Sequence, residues 1–114
     1  MNSASTDLVV VRAAAAARVA DLRRELEDVI ASASSTTGDD EHDPEGATIG
    51  FERAQAQSLL DRAEARVAAL DAAIHRAAAG TYGQCVVCGR LIGAERLEAR
   101  PGTDRCIDCA RGHL

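Results

Sequence analysis

Four cysteines form the pattern with the clearest chemistry in this chain of 114 residues. They fall as two Cys-x-x-Cys pairs, Cys85 with Cys88 and Cys106 with Cys109, separated by seventeen residues. This spacing is typical of zinc sites in which each pair directs two sulfurs at one ion. Because four thiolates leave no coordination position for water, the sequence predicts one structural zinc ion. Two disulfides or four unrelated thiols are the alternatives, and no apparent secretion signal favours oxidised cysteines.

The residues around these cysteines predict a small zinc finger over residues 81–114. Gly89 directly follows the first pair, and glycine suits the tight turn in which backbone N–H groups approach the sulfurs. The segment Arg100-Pro101-Gly102 predicts a turn before the second pair. A small core over the metal is expected from four apolar residues: Leu91, Ile92, Leu97 and Ile107.

Charged residues are interleaved with the cysteines. The basic ones are Arg90, Arg96, Arg100, Arg105 and Arg111. The acidic ones are Glu95, Glu98, Asp104 and Asp108. Arginines are expected near a zinc ion with four thiolates, because that site carries a net negative charge. Nucleic-acid binding is the alternative, but the acids nearly cancel the arginines, so we favour the first interpretation.

The composition of the chain favours packed helices over a sandwich or barrel. Hydrophobic residues make up 46%, but aromatic residues only 2%, and much of the apolar content is alanine. The formal net charge of -5 argues against nucleic acid as the main partner. No apolar window is long enough to span a membrane, so we expect a cytoplasmic protein. No phosphate-binding loop, nucleophile elbow or catalytic triad pattern is present, and we do not expect an enzyme.

The first helix is predicted from about Asp7 to about Ala33, after a flexible start over residues 1–6. Apolar residues recur there at steps of three and four, which places them on one face of a helix. This seam consists of Leu8, Val11, Ala15, Val19, Leu22, Leu26, Val29 and Ala33.

The second helix is predicted from Pro44 to about Ala79. Asp43 is the expected N-cap, Pro44 suits the first helical position, and Gly80 suits the residue after the helix end. Steps alternating between four and three residues indicate a heptad with one polar interruption, at Arg53. This seam consists of Ile49, Arg53, Ala56, Leu60, Ala63, Val67, Leu70, Ile74 and Ala77.

Two amphipathic helices of similar length joined by one loop predict an antiparallel coiled-coil hairpin. Each helix would be roughly 45 Å long at 1.5 Å per residue. The predicted fold is therefore mostly α: a two-helix hairpin over residues 7–80, with a tip loop at about 34–46, and a C-terminal four-cysteine zinc-finger module. A hairpin that buries its own seam needs no partner helix, so we expect a monomer.

The tip loop carries acids and no arginine, and it admits two interpretations. Its acids are Asp39, Asp40, Glu41, Asp43 and Glu45. In the first interpretation, Asp43 caps the second helix and Glu45 favours its positive end. In the second, the cluster is functional, because like charges in one loop call for a cation or a basic partner. His42 lies among them, but no EF-hand spacing predicts a dedicated divalent-ion site.

The finger residues resemble a known family. The segments are GQCVVCG at 83–89, IGAERLEARP at 92–101 and CIDC at 106–109. Together with an alanine-rich hairpin and an acidic loop, they are similar to the DksA/TraR zinc-finger family. The resemblance implies a bacterial regulator that binds RNA polymerase directly rather than promoter DNA. In that family the coiled coil enters the secondary channel of the polymerase, and its tip alters open-complex stability.

The resemblance also implies which residues act at the tip. The family motif is Asp-x-x-Asp-x-Ala, and the corresponding residues here are Asp43-Pro44-Glu45-Gly46-Ala47, one residue shorter. Together with the loop acids that precede this motif, the predicted tip residues are Asp39, Asp40, Glu41, Asp43, Glu45 and Ala47. Some members bind ppGpp through lysines, but this chain has none, and Ala69 and Ala110 fall where basic residues would be expected. Alarmone dependence is therefore not predicted.

Two other functions stay open at this point. Acids at the tip loop could hold a second Mg²⁺ in the polymerase and promote transcript cleavage, as Gre factors do. The cysteines could instead stabilise a protein-binding or redox-sensing module unrelated to polymerase.

Overall fold

The structure is a computed structural model that describes residues 3–35 and 44–112. Within those ranges the chain is mostly helical, with α1 at Ser3–Ser35, α2 at Pro44–Ala79, α3 at Ala94–Ala99 and α4 at Ile107–Ala110. The fold is an antiparallel two-helix hairpin followed by a four-cysteine module, as the sequence predicted. None of the helices in the described part of the chain is long and apolar enough to cross a membrane.

Helix α1 is longer than predicted, whereas α2 has the predicted span. Helix α1 begins at Ser3 rather than at about Asp7, and it ends two residues beyond Ala33. Its first residues contain no glycine or proline, so the alanine-rich run that follows can extend the helix through them. Helix α2 begins at Pro44, whose fixed φ and missing N–H suit the first helical position. The expected N-cap, Asp43, lies outside the described residues.

The chain forms two compact units: Ala15–Ala65, and Met1–Ala14 together with Arg66–Leu114. In the first unit, Leu22 and Leu26 of α1 pack against Leu60 and Ala63 of α2, all at most 9% exposed. Val19, Ile30 and Ala56 extend this cluster. An exposed ion pair, with 3.4 Å between Arg23 Nη2 and Glu64 Oε2, flanks the seam and contributes little.

The second unit contains the other part of the hairpin and the finger. It buries Leu8 of α1 and Leu70, Ala73 and Ala77 of α2. Arg12 donates to Asp71 across the helices, with 2.8 Å between Nε and Oδ1. This carboxylate raises the pKa of Arg12, first by accepting its hydrogen bond and second by its charge.

The observed seams agree closely with the predicted heptads. Every predicted seam residue of α1 is buried or half-buried, and so is every one of α2 except Arg53. Arg53 is exposed because a guanidinium is costly to bury without a partner, so this one polar residue of the seam faces solvent. Ala73 is completely buried although the seam prediction omitted it. It lies beside Leu70 and Ala77 on the same helix face, within an alanine run whose members look alike in sequence.

Helix α2 ends in the left-handed turn that Gly80 permits, with a φ of 81°. The Thr81 N–H donates to the Arg76 carbonyl at 2.9 Å, and the Gly80 N–H donates to the Ala77 carbonyl at 3.2 Å. These two bonds form a Schellman motif, which satisfies carbonyls at the helix end. This motif fixes the direction in which the chain leaves α2 and enters the finger.

Candidate metal centre

The first cysteine pair lies in a short hairpin turn. Gln84 and Leu91 form an isolated antiparallel bridge, and the Cys85 N–H donates to the Arg90 carbonyl at 2.8 Å. Gly89 closes the turn with a φ of 76°, and its N–H donates to the Cys85 carbonyl at 2.9 Å. The predicted tight turn is therefore present. It brings the Cys88 side chain back over Cys85.

The second pair lies at the start of a helical turn. Cys106 is the residue before α4, and Cys109 lies inside it. The Ala110 N–H donates to the Cys106 carbonyl at 2.9 Å, which holds the two cysteines on one turn. The Val86 N–H donates to the Asp104 carbonyl at 2.9 Å and joins the two pairs through the backbone.

The four sulfurs have the geometry of a zinc site. All four lie within 4.8 Å of one another. Cys88 Sγ and Cys106 Sγ are 3.8 Å apart, and a regular tetrahedron with Zn–S bonds of about 2.3 Å has edges of about 3.8 Å. None of the four forms a disulfide, and thiols this close together are not unrelated, so neither predicted alternative describes them. Cys85 and Cys109 are buried, Cys106 is half-buried and Cys88 is exposed.

Two of the thiols have pKa values shifted in opposite directions. The pKa of Cys85 is lowered to about 6, chiefly by the backbone N–H of Cys88 and then by that of Cys106. The pKa of Cys109 is raised to about 12, chiefly by burial and then by hydrogen bonds with the thiols of the other three cysteines. The two shifts differ in sign because backbone N–H groups stabilise the Cys85 thiolate, whereas burial disfavours the charged form of Cys109. A bound divalent cation would stabilise the thiolate form of every ligand.

The small core of the finger differs from its prediction. Ile92 is 5% exposed and packs with Cys85 and Cys109, and Leu97 lies against this cluster, as expected. Leu91 is 79% exposed and Ile107 is 46% exposed, so the predictions for these two were wrong. Neighbouring residues in extended backbone point to opposite sides, so burying Ile92 turns Leu91 outward. Ile107 lies about 200° around α4 from Cys109, which faces the sulfur cluster.

Several polar side chains hold the finger loops, and of these the sequence pointed only to Arg96. Arg96 donates from Nε to the Arg105 carbonyl at 2.9 Å and from Nη2 to Thr103 Oγ1 at 3.3 Å. Arg76 of α2 donates to the Thr103 carbonyl at 3.3 Å. The Tyr82 hydroxyl donates to the Pro101 carbonyl at 2.9 Å. Arg96 therefore has a structural role in the finger.

The predicted turn at Arg100-Pro101-Gly102 is present and packs closely on α2. The Thr103 N–H donates to the Arg100 carbonyl at 3.0 Å and closes the turn. A Cβ on Gly102 would lie 3.4 Å from the Ala69 Cβ. Glycine at 102 and alanine at 69 are both small enough for this approach, which the sequence pattern alone did not indicate.

The predicted tip residues fall mostly beyond the described part of the chain. Asp39, Asp40, Glu41 and Asp43 lie outside it, and so do His42 and His113. The backbone of Glu45 belongs to the first turn of α2, and Ala47, in the same helix, is exposed. These residues stay predictions, whereas the structure brings the four cysteines together.

Comparison with known proteins confirms the resemblance. Residues 80–113 match the model of the prokaryotic dksA/traR C4-type zinc finger. The chain is 41% identical over 49 residues to the RNA polymerase-binding transcription factor DksA of Haemophilus influenzae, a match covering 43% of this chain and 34% of that protein. It is 61% identical over 28 residues to DksA of Escherichia coli K12, covering 25% of this chain and 18% of that protein.

The likeness in fold extends beyond the finger. The transcription factor DksA2 of Pseudomonas aeruginosa superposes with a TM-score of 0.72 and 29% identity, covering 96% of this chain and 78% of that one. The family model thus matches the finger alone, whereas the structural similarity spans the hairpin as well. The finger is of the C4 zinc type, and its four cysteines lie close enough to bind one zinc ion.

Proposed function

We propose that this chain, whose finger is of the dksA/traR C4 type, is a transcription regulator that binds RNA polymerase directly. The observation that carries the proposal is the match to DksA2 over 96% of the chain, hairpin and finger together. The polymerase-binding DksA proteins of H. influenzae and E. coli, each similar to part of this chain, support it further. Zinc fingers occur in proteins with many different functions. A finger joined to a two-helix hairpin of this kind restricts the possible functions much more.

The proposed action belongs to the tip loop. The loop joins the end of α1 to the start of α2, so entry of the hairpin into the secondary channel would deliver the acids toward the catalytic centre. Asp39, Asp40, Glu41, Asp43, Glu45 and Ala47 form the proposed working end. The acids would perturb the Mg²⁺ environment or the polymerase elements that grip the template, because a cluster of like charges interacts strongly with cations and basic groups.

The proposed role of the metal is structural. Cys85, Cys88, Cys106 and Cys109 would ligate one zinc ion, which leaves no position for a reacting water. Zinc would fix the turn whose Gly102 packs on Ala69 of α2. The metal would therefore hold the finger against its own part of the hairpin, and the protein would act by binding rather than by catalysis.

The proposed partner is polymerase, with no direct reading of DNA sequence. The chain carries thirteen arginines against eighteen acids, and Arg96 is engaged in the finger itself. We propose a monomer, since the leucines of both predicted seams are buried, and a cytoplasmic location, where the polymerase is found.

Photocrosslinking tests the proposed position of the tip loop. A photoreactive amino acid at position 43, with purified bacterial RNA polymerase, should crosslink to the channel and the catalytic region of the large subunits. A probe replacing Ala78, an exposed residue near the other end of α2, is the control and should not reach that region. Equal crosslinking from both positions, or crosslinks from position 43 only to the outer polymerase surface, would overturn the insertion proposal.

A separate assay with the same purified protein and polymerase tests for transcript cleavage. A stalled elongation complex incubated with the protein should keep its RNA at full length if the protein acts by binding alone. Shortened RNA that disappears when the tip acids are neutralised would instead establish Gre-like assistance of cleavage.

A further inference from the structure

An acid-rimmed groove lies in the unit that contains the finger, apart from the metal centre and the tip loop. It has a volume of about 370 Å³. One wall is the start of α1, and the other is formed by the residue after the Schellman turn, by α3 and by the turn before the second cysteine pair. We define it by Asp7, Val11, Tyr82, Leu97, Glu98 and Pro101.

The apolar part of this groove is held in place before any partner binds. Val11, Tyr82, Leu97 and Pro101 are each half-buried, so they keep accessible surface. The Tyr82 hydroxyl donates to the Pro101 carbonyl at 2.9 Å and links two parts of the wall. Burial raises the pKa of Tyr82, in keeping with a ring fixed against the protein. A prearranged wall with a tyrosine suits binding, because little side-chain freedom is lost on association.

The rim of the groove is acidic. Asp7 and Glu98 are exposed, and no basic side chain lines the groove within the described residues. Neither acid forms an ion pair in the described ranges, where the pairs present involve Asp21, Glu64, Asp71 and Asp104. The groove thus combines apolar area with two unneutralised negative charges.

We infer that this groove is a second docking site for RNA polymerase, and that it takes a surface segment carrying a lysine or arginine beside an apolar side chain. The inference rests on the proposed function and adds a contact independent of the tip loop. An apolar floor would contribute affinity, and the two acids would select a basic segment and speed its encounter. The zinc finger would then form one wall of a binding site, in addition to packing on α2 within its own unit.

Binding of purified RNA polymerase to the full-length zinc-loaded chain tests this inference. The double variant Asp7→Asn, Glu98→Gln removes both rim charges with little change in shape. At low salt it should bind about three- to tenfold more weakly, mainly through slower association. The deficit should shrink as salt rises, since the Debye length falls from about 10 Å at 0.1 M to about 3 Å at 1 M. Glu98→Arg should weaken binding further.

The matched control is Glu95→Gln, Asp108→Asn, which removes two exposed acids of the same finger outside the groove. It should bind as wild type, and both double variants should keep wild-type zinc content and melting temperature. Equal affinity of the groove variant and wild type would overturn the groove inference alone. Failure of wild type to bind polymerase would overturn the proposed function as well. A dimer of wild type that the groove variant abolishes, seen by sedimentation, would assign the groove to a second copy and overturn the inference.

Discussion

The hairpin segment over residues 15–65 and the finger over residues 80–112 are stabilised by different means. The hairpin cluster contains Leu22, Leu26 and Leu60, and full burial of each such side chain contributes about 1.5–3 kcal/mol. The finger cluster buries one large hydrocarbon side chain, Ile92, with two cysteines, and Leu97 packs against it half-buried. Too little apolar area is buried there to offset the entropy of ordering its loops, so the metal must supply the difference. The two regions should therefore fail under different treatments.

Zinc removal should have the largest effect and should separate the two regions. Structural zinc contributes about 10–16 kcal/mol of apparent binding free energy in small finger peptides near neutral pH. Chelation, or Cys88→Ser, should therefore unfold the finger while the hairpin stays helical. Amide hydrogen exchange should lose protection at the Cys85, Val86 and Ile92 N–H groups, which now donate within the finger.

Circular dichroism at 222 nm provides the control, because most helical residues belong to α1 and α2. The helical signal should fall only slightly on chelation. A reduced, folded preparation that contains no metal by elemental analysis would contradict the zinc assignment, and a complete loss of helix would contradict the independence of the hairpin.

A charge in the seam should have the next largest effect, and it should act on the hairpin instead. Leu60 is 5% exposed, whereas its neighbour Leu59 is 37% exposed. Leu60→Asp should destabilise by about 3 kcal/mol or more, since an unpaired carboxylate would be buried between the helices. Leu59→Asp is the matched control and should cost much less, because its carboxylate can reach water.

Thermal melts followed by circular dichroism measure both changes, with zinc content measured in parallel. Similar melting temperatures for the two variants would show that the heptad register is wrong. Loss of zinc from Leu60→Asp while the hairpin is still folded would show that the comparison between the two regions is wrong.

Two glycines should give the smallest changes, with opposite signs. Gly80 adopts a φ of 81°, and a Cβ there would meet no atom within 4 Å, so the cost of Gly80→Ala is conformational, about 1–2 kcal/mol. Gly50 lies inside α2 and also has open space around it, so Gly50→Ala should stabilise by about 0.5–1 kcal/mol. Chemical denaturation resolves both differences. Destabilisation by both substitutions to the same extent would contradict the assigned helix end.

The sequence predicted the hairpin well because helix periodicity reports directly which residues face a partner helix. The steps from Leu8 to Ala33 and from Ile49 to Ala77 identify faces that the structure buries. The role of the four cysteines was equally predictable, since their spacing is typical of a tetrahedral metal site. In both cases the signal is local along the chain.

The finger core and the groove were less predictable because they depend on contacts distant in sequence. Which of Leu91 and Ile92 points inward depends on the bridge between Gln84 and Leu91, and no periodicity marks a single bridge. No motif marked Tyr82, and its bond to Pro101 joins residues nineteen positions apart. The close approach of Gly102 to Ala69 likewise required the folded chain.

An open-complex lifetime assay with RNA polymerase tests the proposed function most directly. The test variant carries Asp43→Asn, which keeps most of the helix cap, and neutral replacements of Asp39, Asp40, Glu41 and Glu45. Wild type should change the lifetime of a responsive promoter complex, whereas the variant should bind polymerase with retained affinity and leave the lifetime unchanged. A variant that changes the lifetime as strongly as wild type would contradict the acidic tip loop as the working element.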